Sequence, residues 1–261
     1  MRLDMNRPLR SAILAALLFA AGAGDAPALS WTWVEDPTDD HFGAGWFSIQ
    51  GMGYAFDQTR LYFAIRTNLP ETGWWGTDSY AHALLDPGDL RINASGNIYG
   101  LAFSTHANVV EQAYSGVWPT VTKGNLYSSP VFADGTLEQY EEWISWRGLT
   151  PTPSDGNLYD GQNSYPTLIR GFADERTGAS AVQWNETPSG TPWLYEIVGS
   201  VDTLALGLDY GESFELFWSM ECGNDAVAIS GVNPVPEPAT MCLLGGGLFV
   251  LILLLRRRPA V

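Results

Sequence analysis

The side chains that could do chemistry here are carboxylates, three histidines and exposed-type tryptophans. His41, His82 and His106 stand singly, without His-Glu-x-x-His spacing, and no serine sits in a Gly-x-Ser-x-Gly elbow. Zinc-hydrolase and serine-hydrolase chemistry therefore have no motif to rest on, and each histidine reads as a polar surface or loop residue. Glu141, Glu142, Glu196, Asp202 and Glu215 could supply the acid and base of glycoside hydrolysis, which needs two carboxylates about 5 to 10 Å apart. Position along the chain does not give that separation. The reading is a non-enzymatic protein, with a glycan-processing enzyme as an alternative.

Calcium is a better candidate than catalysis. Hard oxygen ligands crowd into short turns at Glu35, Asp36, Asp39 and Asp40, at Asp86 and Asp89, and at Asp155, Asn157, Asp160 and Asn163. Such turns suit a hard cation, although Asp and Asn also shape turns with no ion bound. Turn-shaping is the favoured reading of these clusters; Asp36, Asp39 and Asp40 are the candidate calcium site if an ion is bound, and no other cofactor is indicated. Among 11 tryptophans, Trp74 and Trp75 fall in a Gly-bounded loop, GWWGTD, where exposed rings could stack on sugars. Trp31 and Trp33 alternate near the start of the body, and Trp218 reads as core. Extracellular polysaccharide is thus a possible partner, and a carbohydrate-binding module is the first alternative function.

The elements that must position these residues are bounded by two unusual ends. The 261-residue chain carries 29 Asp plus Glu against 13 Lys plus Arg, a net charge of -16. Six arginines lie at the termini, so positions 29 to 236 hold 26 acidic and 7 basic residues, a net of -19. A chain this acidic repels phosphate backbones, which excludes nucleic acid as a partner. At the N-terminus, Arg2, Arg7 and Arg10 precede the apolar run SAILAALLFAA and small residues, the layout of a secretory signal peptide over 1–28. Cleavage is expected after Ala23 or after Ala28.

At the other end, residues 239–255 form 17 uncharged positions, ten of them Leu, Ile, Val or Phe. At about 1.5 Å per residue that helix spans about 25 Å, just enough for a hydrocarbon core of about 30 Å. Arg256, Arg257 and Arg258 follow at once, in a 256–261 tail. The positive-inside rule holds them in the cytoplasm and leaves the body outside, the topology the signal peptide also dictates. Directly before the span stand Val235, Pro236, Glu237 and Pro238, within a 232–238 linker. The prolines stop helix from propagating upstream and keep the junction extended, as a protease requires.

This combination of Pro-Glu-Pro, short apolar helix, terminal arginines and signal peptide resembles the PEP-CTERM sorting signal of Gram-negative bacteria. The resemblance implies recognition by exosortase, an integral-membrane cysteine protease, and export across the inner membrane. It further implies a membrane-anchored precursor that reaches the cell surface or extracellular matrix. With Cys242 inside the span, Cys222 would be left as a single thiol in the body, with no intramolecular disulfide.

The body, 29–231, reads as all-β, a single jelly-roll-like β-sandwich. Gly51 to Asn68 is the clearest element: Leu61, Phe63 and Ile65 share one face, and Asp57, Gln58 and Thr59 form the turn of a hairpin. Ser213 to Met220 alternates likewise. Further strands are expected at Ala81–Leu85, Leu90–Asn93, Ile98–Phe103, Leu168–Phe172, Ala181–Asn185, Leu194–Ser200 and Ala226–Ser230. A short helix is expected at Leu137–Ile144 and a long polar loop at Pro151–Pro166. The segments DPGDLRIN, YGLAF, LYFAIRTN, LYEIVG and WSMECGND resemble the sandwich bodies of other exosortase-dependent surface proteins. More distantly they resemble family nine carbohydrate-binding and DOMON-like sandwiches.

Overall fold

The computed structural model describes residues 29–36, 48–75, 84–85, 87–106, 119–136, 164–220 and 225–235. The described residues are 56% strand and 3% helix, an all-β fold. In chain order the strands are β1 (Thr32–Glu35), β2 (Ile49–Phe56), β3 (Arg60–Thr67), β4 (Trp74–Trp75), β5 (Leu84–Leu85), β6 (Leu90–Ala94), β7 (Asn97–Leu101) and β8 (Leu126–Ser128). They continue with β9 (Val131–Thr136), β10 (Ser164–Gly171), β11 (Asp174–Arg176), β12 (Ser180–Glu186), β13 (Tyr195–Asp202), β14 (Ser213–Ser219) and β15 (Ala226–Val232). One helical turn, α1 (Thr203–Leu206), follows β13.

A five-stranded sheet has the order β1-β2-β3-β13-β12, and a six-stranded sheet the order β11-β8-β7-β6-β14-β15. The β2–β3 hairpin starts from its turn. Asp57 accepts the Thr59 N–H at 2.7 Å and the Arg60 N–H at 2.8 Å on one carboxylate oxygen, and the Tyr62 hydroxyl at 2.7 Å on the other. A side chain that satisfies the turn's amides fixes the register, and register decides which face is apolar. Leu61, Phe63 and Ile65 are accordingly fully buried, while Tyr62 and Arg66 on the opposite face stay half-exposed and Ala64 between them is buried.

Both sheets feed one core. Phe63 of the first stacks on Phe103 at 5.7 Å, Phe103 meets Trp218 of the second at 6.1 Å, and Tyr54 meets Phe214 edge-on at 4.9 Å. Each such ring contributes about 1.5 to 3 kcal/mol by leaving water. Trp218 is fully buried, as its sequence position predicts, and its indole N–H is satisfied by the Gly88 carbonyl at 2.8 Å.

The outer face of the six-stranded sheet is covered as well. The antiparallel β9–β10 pair packs there: Ile169 and Phe132 sit so close over Gly100 that a Cβ at that glycine would lie 2.7 Å from Ile169. This layer corrects the loop reading of Pro151–Pro166 at its end, since Ser164, Tyr165 and Pro166 pair with Thr136, Gly135 and Asp134. Residues 151–163, and the helix expected at Leu137–Ile144, lie outside the described residues.

Among the described residues no helix is long and apolar enough to cross a membrane. The expected span 239–255, the signal segment 1–28 and the tail 256–261 lie outside them.

Candidate functional site

The C-terminal exit is built from the end of β15. Ser213 pairs with Val232, and the next residue, Asn233, is buried and held on three sides. Its N–H donates to the Glu212 carbonyl at 2.9 Å and its carbonyl accepts the Gly211 N–H at 2.8 Å. Its side-chain amide donates to the Leu208 carbonyl at 2.9 Å. Two residues later Val235 is exposed. The body therefore holds its strand as far as Asn233 and lets it go there. Pro236, Glu237, Pro238, Arg256, Arg257 and Arg258 lie outside the described residues.

The loop reading of the tryptophan pair is corrected: Trp74 pairs with Leu85 and Trp75 with Leu84 in the two-stranded β4–β5 sheet, a partner strand that local sequence does not announce. Of the expected calcium residues, Asp36 is half-buried with its N–H donating to the Gln50 carbonyl at 3.3 Å, and Asp39 and Asp40 lie outside the described residues. Among the described residues no group of three or more His, Cys, Asp or Glu side chains is placed to hold a metal ion.

Asp89 is not an open turn ligand. It is fully buried, accepting the Phe103 N–H at 3.1 Å, the Ile169 N–H at 2.8 Å and His106 Nε2 at 2.9 Å. This corrects the surface reading of His106, which is buried on an isolated bridge to Val121. The pair pins the β10 layer to the sheet beneath it. His41 and His82 lie outside the described residues.

The carboxylates considered for catalysis are held apart. Glu196 lies beside Arg66 at 3.4 Å and Asp202 beside Arg60 at 3.4 Å, on the outer face of the five-stranded sheet. Glu215 lies beside Arg91 at 3.0 Å on the outer face of the other sheet. With the core between them, Glu196 and Glu215 cannot share a substrate. Glu141 and Glu142 lie outside the described residues.

The shifted pKa values belong to two turn carboxylates, Asp57 and Glu212, and to two strand tyrosines, Tyr62 and Tyr127. Burial works to raise Asp57, but the Thr59 and Arg60 amides and the Tyr62 hydroxyl outweigh it and hold the carboxyl below its usual range. Hydrogen bonding to Asp57 raises Tyr62 in return. Burial raises Tyr127, whose hydroxyl donates to Glu175 at 3.1 Å. The Asp209 N–H lowers Glu212.

One constellation on the first sheet was not visible in sequence. The Arg66 guanidinium lies 3.8 Å from the Trp33 ring and 4.4 Å from the Trp193 ring, with Glu196 beside it and Trp31 5.8 Å beyond Trp33. Gly53 provides the seat, since a Cβ there would lie 2.6 Å from the Trp33 indole. The outward register of Arg66 is legible, but residues 33, 66 and 193 meet only through the order β1-β2-β3-β13.

Comparison with known proteins decides the other end of the molecule: residues 234–258 match the PEP-CTERM protein-sorting motif. The chain carries a PEP-CTERM sorting signal. The match begins at Pro234, directly after the clamped Asn233. The PEP-CTERM motif marks an exosortase-targeted surface protein, and it implies export and a membrane-anchored precursor. No curated protein and no solved structure matches the chain, so the likeness of the body to carbohydrate-binding or DOMON-like folds finds no support.

Proposed function

We propose that this is a non-enzymatic bacterial surface or extracellular-matrix protein, made as a precursor with a signal peptide at 1–28 and a sandwich ectodomain of two facing sheets. A transmembrane sorting helix at 239–255 holds it until exosortase acts at the Pro-Glu-Pro junction. The observation that carries this reading is the PEP-CTERM match at 234–258. The exposed Val235 after a clamped Asn233 supports it, because a protease needs extended, accessible backbone. The test is the C-terminal mass of the mature protein from cells with and without exosortase. A new C-terminus upstream of 239, present only with exosortase, is expected; an intact tail in both means simple anchoring.

A second reading, glycan binding, is favoured by the Trp33–Arg66–Trp193 stack. Flat rings beside a paired guanidinium and carboxylate offer stacking surface and hydrogen bonds together, as sugar sites do. Polysaccharide pull-down with Trp33→Ala and Trp193→Ala, beside Trp74→Ala and Trp75→Ala, separates the stack from the pair first suspected. If the unsubstituted protein retains no polysaccharide, the reading falls.

A further inference from the structure

One pole of the body gathers three segments that are remote in sequence. Thr203 of α1 donates its N–H at 2.9 Å and its hydroxyl at 3.0 Å to the Thr59 carbonyl in the β2–β3 turn. The Tyr210 hydroxyl donates to the Gln58 carbonyl at 3.0 Å, and Asn233 ties the end of β15 to residues 208–212. This pole carries four of the seven large apolar side chains exposed among the described residues: Leu204 at 89%, Tyr210 at 48%, Val232 at 52% and Val235 at 68%. Solvent exposure of this kind, gathered at one end, calls for a partner.

Chain length identifies the partner. Four residue steps separate Val235 from Ala239, the first residue of the apolar run, a reach of about 14 Å at ~3.3–3.6 Å per residue. The headgroup layer takes about 5 to 8 Å of that, leaving less than about 10 Å between Val235 and the bilayer surface. A tether this short cannot turn the body over. The apolar pole is the part of the ectodomain that must meet the lipid while the tail is intact.

We propose that Leu204, Tyr210, Val232 and Val235 form a membrane-facing rim that seats the uncleaved precursor on the outer surface of the bilayer that holds its tail. The inference rests on the anchored-precursor reading above. The contact is apolar: Asp57, Asp209 and Glu212 flank it, and the two arginines near the pole are engaged, Arg60 paired with Asp202 and Arg176 donating to the Ala205 carbonyl of α1 beside Asp174. A zwitterionic surface therefore suits it better than an anionic one. Seating holds the junction at the height of a membrane-embedded protease.

The test uses the full-length chain with Cys222→Ser and Cys242→Ser, carrying one fluorophore at Gln58→Cys, beside the rim, or at Ser189→Cys. Ser189 lies in the β12–β13 turn, at the far end of eight-residue β13. Reconstitution is into phosphatidylcholine vesicles bearing nitroxide headgroups. The protein should co-float with the vesicles, with quenching at position 58 several-fold stronger than at 189. Leu204→Asp with Val232→Asp, both exposed enough to leave the fold intact, should cut the quenching at 58 several-fold while co-flotation persists. Equal quenching at the two positions, or no effect of the double substitution, overturns the rim and leaves anchoring standing. Contrast that appears only when exosortase is co-reconstituted also overturns it, assigning the face to the protease. Failure of the unsubstituted chain to co-float overturns the anchoring and the rim together.

Discussion

Replacing Asp89 by alanine tests whether the buried carboxylate holds the third layer in place. The carboxylate accepts three hydrogen bonds: the Phe103 N–H at 3.1 Å, the Ile169 N–H at 2.8 Å and His106 Nε2 at 2.9 Å. Alanine removes the acceptor from all three of these buried donors, at about 1 to 3 kcal/mol each before relaxation or entry of water. Allowing for that relaxation, the loss is about 3 to 5 kcal/mol, a large part of the ~5–15 kcal/mol typical of a domain. With a urea slope of about 2 to 3 kcal/mol per molar, the unfolding midpoint of the mature protein should fall by about 1 to 2.5 M. Tryptophan fluorescence reads it, because Trp218 is fully buried beside this network through the Gly88 carbonyl. His106→Ala should cost less, since Asp89 keeps both amides. The double substitution should then cost well under the sum, with a coupling of about 0.5 to 3 kcal/mol. A midpoint shift of less than about 0.3 M for Asp89→Ala would refute the hub.

Gly199→Ala places a Cβ 2.2 Å from Phe63 Cζ and 2.5 Å from the Ala181 carbonyl. Overpacking of that kind costs about 1 to 3 kcal/mol, so thermal unfolding should come about 4 to 10 °C earlier; an unchanged melting temperature would show that the Phe63–Phe103 stack yields freely. Asp57 has its folded pKa held down, so its stabilisation is present above the ordinary carboxylate range and is lost as pH falls through the folded value. Asp57→Ala should therefore flatten the decline in stability as pH falls below the ordinary carboxylate range, seen as a smaller change in urea midpoint over that acid limb. An equally steep acid decline in the variant assigns the effect to other carboxylates.

Much of the fold is legible in the sequence where period and turn chemistry agree. The hairpin around Asp57 is read correctly because alternation and a turn-forming carboxylate point to one register, and the inward Phe214, Leu216 and Trp218 of β14 follow from the same period. The third layer is where that reading fails. Phe217, on the expected outward face of β14, is nevertheless buried, packed with Ala226 and Ala228, and Ser219 beside it donates to the Pro166 carbonyl at 3.4 Å. Nothing local announces this, because Pro166 and its polar neighbours carry loop chemistry. Proline is tolerated there because the pairing is only two-stranded. β1, β4, β8, β9 and β11 were missed for a related reason: two to six residues long, they take their structure from neighbours and not from propensity. The Asp89–His106 pair and the Trp33–Arg66–Trp193 stack were hidden because each joins residues far apart in sequence, and strand order is not written in local pattern.

The sorting end was legible for the opposite reason: its physics is local. An uncharged run, three arginines and two prolines act by composition and adjacency, and those survive being read one residue at a time. What the sequence does not contain is the seam between body and signal. Asn233 spends its N–H, its carbonyl and its side-chain amide on residues 208–212, and the motif begins at the next position. A cut anywhere beyond Val235 thus breaks no hydrogen bond of the described body. Release needs no unfolding, and the two parts can be under separate constraint. The body must keep β15 anchored, whereas the tail need only keep its prolines and the apolar run after them.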